Sequence, residues 1–188
     1  LYKNGEPFKM SKRAGDFISA QDLLNEVDKD QIRFMMLNRS NDVELDFDFD
    51  KVKEKTKDNP VFYVQYAYAR INSLLRTLNL SLLKEISISE KYINFNALEE
   101  RIVRKVFEWP KIIESASRKF DLHKIPFYLY ELSTLFHAYW SKGNDDRNYK
   151  FIEKEQIKRK EILLVINLVA LVIQNGMSIL GVSLPKKM

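Results

Sequence analysis

The sequence predicts a mainly α protein, on three observations. Twenty-three aromatic residues (9 Tyr, 12 Phe, 2 Trp) stand against only 5 Gly and 5 Pro, which favours packed helices over turn-rich sheets. Apolar residues recur at helical spacing, as in Leu98, Ile102 and Val106. The longest apolar run, Ile162 to Ile173 broken by Asn167, is flanked by the polar stretches Lys158-Arg159-Lys160-Glu161 and Gln174-Asn175-Gly176. That run falls short of the about 20 residues a membrane span needs, so a buried helix is expected. The chain has 188 residues and no cysteine, enough for one or two domains without a disulfide framework, and a reducing cytosol is the default. A net charge of +5 permits a polyanionic partner without requiring one. The chain does not begin with Met, which suggests a piece of a longer protein.

The first residues read as a hairpin. Leu1-Tyr2-Lys3 and Pro7-Phe8-Lys9 would pair across an Asn4-Gly5 turn. Lys9-Met10-Ser11-Lys12-Arg13 follows, with Gly15 close behind. A mobile loop of this composition suits a triphosphate, since ammonium groups neutralise phosphate oxygens and closure can aim one of them at developing charge. Ser19 is expected to cap a first helix, with Asp22 as its capping-box acid, and Asp30 to cap a second with Ile32, Met35 and Met36 inward. Between Asp42 and Asp50, apolar Val43, Leu45, Phe47 and Phe49 alternate with carboxylates. A half-buried strand is the first reading, and an extended lead-in to a helix the second. The acidic face is expected to be solvated, because one strand face spreads carboxylates too far apart for one ion.

From Asp58 the pattern becomes helical. Asn59-Pro60 is an N-cap and first helical residue for a helix to about Leu80, followed by a loop to Asn96. Ala97 to Trp109, Pro110 to Phe120 and Phe127 to Trp140 are further helices, with Leu122 to Pro126 a turn and Gly143 to Asp146 a loop. The last helix is expected to end near Gly176. A domain boundary is placed near residue 55.

Two aromatic faces are candidates for recognition. Tyr63, Tyr66 and Arg70 share a helix face at spacings of three and four, and Phe136 and Trp140 lie one turn apart beside Lys142 and Gly143. Aromatic rings stack on unstacked bases, and arginine both stacks and binds phosphate. Such stripes also serve as ordinary core, and the spacing alone leaves both readings open. His123 and His137 are read as packing or hydrogen-bonding residues. A structural zinc is not expected without cysteine, and no Walker or GxGxxG motif is present.

Taken in order, these residues resemble a known family. Lys9 to Arg13 is similar to the KMSKS signature of class I aminoacyl-tRNA synthetases in its KMSKR form. The run continues with Asp16-Phe17-Ile18, Ile32-Arg33-Phe34-Met35-Met36-Leu37 and Leu45-Asp46-Phe47-Asp48. Its most specific parts are Asn59-Pro60-Val61-Phe62-Tyr63-Val64-Gln65-Tyr66-Ala67 and the Leu180-Gly181-Val182 ending. Together they resemble the C-terminal third of a bacterial-type arginyl-tRNA synthetase across the whole chain. The resemblance implies a fold in which a helical-bundle anticodon-binding domain follows the KMSKS loop and stem-contact segment of a Rossmann-type catalytic core. It implies residues 1–55 as the end of that core and 56–188 as the bundle. It implies that Lys12, supported by Lys9, stabilises the transition state of arginine activation, with Lys9, Met10, Ser11, Lys12 and Arg13 binding ATP. It implies that Tyr63, Tyr66, Arg70, Phe136, Trp140 and Met188 hold the anticodon of arginine tRNA. ATP and Mg²⁺ would serve the full enzyme, a cytoplasmic monomer with no membrane association.

Tyr68 and Phe136 depart from the family, where many members have His and some have Tyr; ring stacking survives both changes. No HIGH-type motif or arginine pocket is present, so the chain alone is not expected to activate arginine. The alternatives are another class I synthetase such as the cysteinyl enzyme, a stand-alone tRNA-binding module, and a structural bundle with no ligand. Tyr63-Val64-Gln65-Tyr66-Ala67 argues against the first, and the KMSKR loop against the second.

Overall fold

A computed structural model describes residues 1–3, 6–7, 18–82 and 93–188. Its architecture is mainly helical, as the composition predicts. Strands β1 (Tyr2–Lys3) and β2 (Glu6–Pro7) pair antiparallel, with Tyr2 opposite Pro7. The expected Asn4-Gly5 turn, Phe8 and Lys9 lie outside the described residues, as do Lys9 to Arg13 and most of the predicted loop before Asn96.

Helix α1 (Ala20–Glu26) starts with the predicted capping box of Ser19 and Asp22. Helix α2 (Lys29–Leu37) is capped by Asp28 rather than Asp30. The Asp28 side chain accepts from the Asp30 N–H at 2.8 Å, which leaves the Asp30 carboxylate to turn inward. Met36 faces out, and Phe34 is the fully buried side chain of this helix.

The alternating segment after α2 does not form the strand of the first reading. Only Phe47 and Phe49 are buried, in a small core with Val27, Ile32 and Val52, while Val43 is exposed. Among the described residues its one partner is Tyr2 of β1, which donates to the Phe47 carbonyl (2.8 Å) and accepts from Phe49 (3.1 Å), an isolated parallel bridge. The Asp48 side chain then accepts from the Asp50 N–H at 2.9 Å and turns the chain into the 3₁₀ turn Lys51–Lys53. A short acidic side chain competing for local N–H groups ends the extended run.

Helix α3 (Pro60–Thr77) carries the predicted Asn59 cap and Pro60 start. Asn59 is buried, and its amide also donates to the Val52 and Glu54 carbonyls (2.8 and 2.7 Å), tying the preceding segment to the bundle. Helices α4 (Ala97–Phe107) and α5 (Trp109–Lys119) follow almost end to end. Trp109 therefore opens α5 instead of closing α4, and its ring packs on Tyr128 at 5.2 Å. Helix α6 (Lys124–Asp145) is longer than predicted at both ends. Pro126 sits in its first turn, where a missing N–H costs nothing. Gly143, expected in a loop, is buried in its last turn. A short hairpin of β3 (Ile152–Glu153) and β4 (Gln156–Ile157) leads to the last helix, α7 (Lys160–Leu180).

Helix α7 also outruns its prediction. Gly176 is interior: a Cβ there would meet the Leu129 methyls at 2.8 and 2.9 Å, so the glycine serves a close helix crossing. The stop is Gly181, left-handed at φ +66°, with Val182 N–H bonded to the Met177 carbonyl at 2.9 Å in a Schellman-type ending. At 21 residues α7 is long and apolar enough to cross a membrane, contrary to the count from sequence. It is the central core helix here, packed on α3, α4 and α6 through Ile162, Ile166, Val169 and Ile173. Asn167 is accommodated because its amide donates back to the Leu163 carbonyl at 2.8 Å.

A buried ionic cluster locks α4, α6 and α7 together. Glu99 has no exposed surface; it accepts from its own N-cap, Asn96 N–H (2.9 Å), from the Tyr139 hydroxyl (2.5 Å) and from the Arg159 guanidinium. Burial, with Glu99 alongside, pushes the Tyr139 phenol well above its ordinary range and keeps it a donor. Removing the acceptor strands the buried Tyr139 hydroxyl and takes the carboxylate from the part-exposed Arg159, so Glu99→Ala is expected to destabilise the fold by about 3 kcal/mol. Urea denaturation checks this; a loss near that of an ordinary surface substitution would contradict it.

Candidate nucleic-acid interface

Helix α3 has two faces. Val61, Val64, Tyr68, Ile71 and Leu75 are buried against the bundle core, while Tyr66, Arg70, Ser73 and Thr77 line a cleft of about 350 Å³. The cleft is completed by Arg76 of α3, Trp140 of α6, Ile152 of β3, and Lys187 and Met188 of the C-terminal tail. The two aromatic faces read from the sequence thus meet, although 70 positions separate Arg70 from Trp140.

Arg70 is the centre of the arrangement. Its guanidinium carbon lies 4.5 Å from the centroid of the Tyr66 ring and 4.9 Å from that of Trp140. One Nη donates to the Tyr66 hydroxyl at 2.9 Å, and the other is 3.2 Å from His137 Nδ1. His137 Nε2 is 3.2 Å from the Tyr63 carbonyl. The set is consistent with one tautomer, in which Nε2–H donates to that carbonyl and Nδ1 accepts from Arg70. The cation is therefore held between two rings and tied by two hydrogen bonds. Its other N–H groups suit a carbonyl or phosphate oxygen.

Not every candidate lines the cleft. The Tyr63 ring packs on His137 (4.3 Å) and Tyr130 (5.4 Å), behind Arg70. Phe136 is fully buried and packs on Trp140 (5.9 Å) and Phe151 (6.4 Å), so it backs the Trp140 ring and offers no surface to a base. Tyr68 is buried in the core. Sequence reasoning missed Arg76, Ile152 and Lys187, whereas His137 is the hydrogen-bonding residue it was read as. Arg76 was within reach, since it stands seven residues after Ala69 on the same helix. Ile152 sits on a two-residue strand that leaves no periodic signal.

Burial pushes the His137 imidazole down to about 4, with the Arg70 charge acting in the same direction against the Tyr63 carbonyl. The unfolded chain takes up this proton near the ordinary 6.5. Stability from neutral His137 is thus fully present above pH 6.5 and is lost as pH falls through that window towards 4, on the order of 3 kcal/mol in all. In an NMR titration the His137 ring signals are expected to stay constant from pH 7 to 5. A midpoint near 6.5 would contradict the account.

A family model described as the DALR anticodon binding domain matches residues 64–188. The chain is 50% identical over 188 residues to an arginine–tRNA ligase of Pelagibacter ubique, and 43% identical over 195 residues to one of Roseobacter denitrificans; all of this chain is covered in each case. It spans about a third of the length of these curated relatives (33%). Among solved structures, one assigned to the arginyl-tRNA synthetases from Campylobacter jejuni matches with a TM-score of 0.81 at 26% identity, over all of this chain and 39% of that one. The Thermus thermophilus arginyl-tRNA synthetase, at 19% identity and a TM-score of 0.63 over 94% of this chain and 29% of that one, shares the fold. By sequence and by architecture, the chain belongs to the DALR anticodon-binding domain family.

Proposed function

We propose that this chain is the tRNA-reading part of an arginine–tRNA ligase, and that the cleft between α3, α6 and the C-terminal tail holds the anticodon of arginine tRNA. The observation that carries the reading is the convergence of Tyr66, Arg70, Trp140 and Met188 on one opening. Trp140 and Tyr66 offer faces for unstacked bases, and Met188 an apolar wall. Arg70 supplies directed donors, while Arg76 and Lys187 at the rim suit backbone phosphates. Tyr63 and Phe136 act behind this surface, through His137 and Trp140. The full enzyme would use ATP and Mg²⁺ to activate arginine and then transfer it to the tRNA, as a soluble cytoplasmic monomer with no membrane association. Residues 1–55 would close the catalytic core and 56–188 form the bundle, with Lys9 and Lys12 acting on ATP. The Lys9 to Arg13 loop lies outside the described residues.

The test is equilibrium binding of arginine tRNA and of the same tRNA with a changed anticodon. Arg70→Ala and Trp140→Ala are each expected to weaken binding of the first by about tenfold or more, and to erase the preference over the second. Preference retained in both variants would overturn the assignment.

A further inference from the structure

We propose that α2 is a positioning element for the cleft: Asp30 and Arg33 anchor the C-terminal tail so that Lys187 and Met188 stand as one wall of the site. The proposal rests on the anticodon reading of that cleft.

The Asp30 side chain, buried on α2, reaches 153 positions along the chain to Ser183. Its Oδ2 accepts from the Ser183 N–H at 3.0 Å and from the Ser183 hydroxyl. Its Oδ1 has no hydrogen-bond partner among the described residues, so the hydrogen bonds of this carboxylate go to the tail. One turn along α2, Arg33 Nε donates to the carbonyl of Leu180, the last residue of α7. Arg33 lies against Gly181 so closely that a Cβ there would meet its Nε at 2.9 Å. The two side chains of α2 thus hold both sides of the turn where the chain leaves α7. Beyond the turn, α3 takes over: Gln65 donates to the Ser183 carbonyl at 3.0 Å and Arg76 to the Lys186 carbonyl at 2.7 Å. Lys187 and Met188 follow directly and line the cleft.

Met188 is 53% exposed, so apolar burial does little to hold it. Terminal residues stay ordered only where the chain behind them is tied down. The Asp30 and Arg33 bonds set where the tail starts, and the α3 bonds carry it to the cleft. Asp30 and Arg33 lie outside the matched family region, residues 64–188. They are positioning residues that act through the tail and touch no ligand.

A double-mutant cycle in the full chain tests this, with a stem-loop RNA carrying an arginine anticodon as probe. Asp30→Ala is expected to weaken binding about tenfold, the effect of losing charge-assisted hydrogen bonds. In a chain lacking Lys187 and Met188, the same substitution is expected to cost little more, because the wall it positions is gone. Asp30→Asn, which keeps an acceptor oxygen, should restore much of the affinity. If Asp30→Ala does not fold, Ser183→Ala carries the same cycle with a smaller loss. Equal losses with and without the last two residues, or no loss at all, would overturn the proposal. The Met188 methyl NMR signal gives a second readout without RNA: it should shift and narrow in Asp30→Ala, and an unchanged signal overturns the anchoring. RNA binding by the unaltered protein that ignores the anticodon would instead overturn the reading of the cleft, while the methyl signal still decides whether the anchor exists.

Discussion

The burial of α7 among α3, α4 and α6 is the constraint on which the rest of the molecule depends. Ile162, Ile166, Val169 and Ile173 have no exposed surface, and each such side chain contributes about 1.5–3 kcal/mol relative to exposure. This packing fixes the rotation of α3 about its axis. With Val61, Val64 and Ile71 turned inward, Tyr66, Arg70 and Ser73 must face the opening. It also fixes where α7 ends, and Gly181 then reverses the chain so that the tail returns along α3. A core built from apolar side chains thereby sets the geometry of the cleft, and Leu74 belongs to both.

The cleft itself is pre-organised by charge and ring geometry. An arginine on an exposed helix face samples many rotamers, and ordering it on binding costs free energy. Here Tyr66, Trp140 and His137 meet that ordering cost within the fold. The neutral state of His137 matters to this. A protonated imidazole would present a donor and a positive charge to Arg70, and the contact would become repulsive. Burial keeps the proton off and leaves Nδ1 as an acceptor.

Much of this was legible in the sequence, for identifiable reasons. Asn59-Pro60 and the Ser19–Asp22 box mark helix starts by local chemistry, and α3 and α1 begin there. The stripe of Tyr66 and Arg70 follows from a period of 3.6, which needs no tertiary knowledge. Three of the misreadings depended on a partner distant in sequence. The 42–50 alternation predicted a strand, yet among the described residues only Tyr2 of β1 pairs with it. Gly176 read as a stop, but it lies within α7 because Leu129 crosses there. Asp30 resembled a cap because nothing local reveals that Ser183 awaits it. Met188 entered the site reading only through the family resemblance, and its place in the cleft depends on anchors spread over α2 and α3.

The central claim is that Trp140 lies in the surface that reads the anticodon. The protein has 2 Trp, so labelling with 5-fluorotryptophan gives two ¹⁹F signals, which a Trp140→Phe variant assigns. The account predicts that arginine tRNA shifts the Trp140 signal while Trp109 stays in place, and that a tRNA with a changed anticodon at the same concentration leaves both unmoved. The same Trp140 shift with either tRNA, fading steeply as salt rises, would mean phosphate attraction alone and would contradict it.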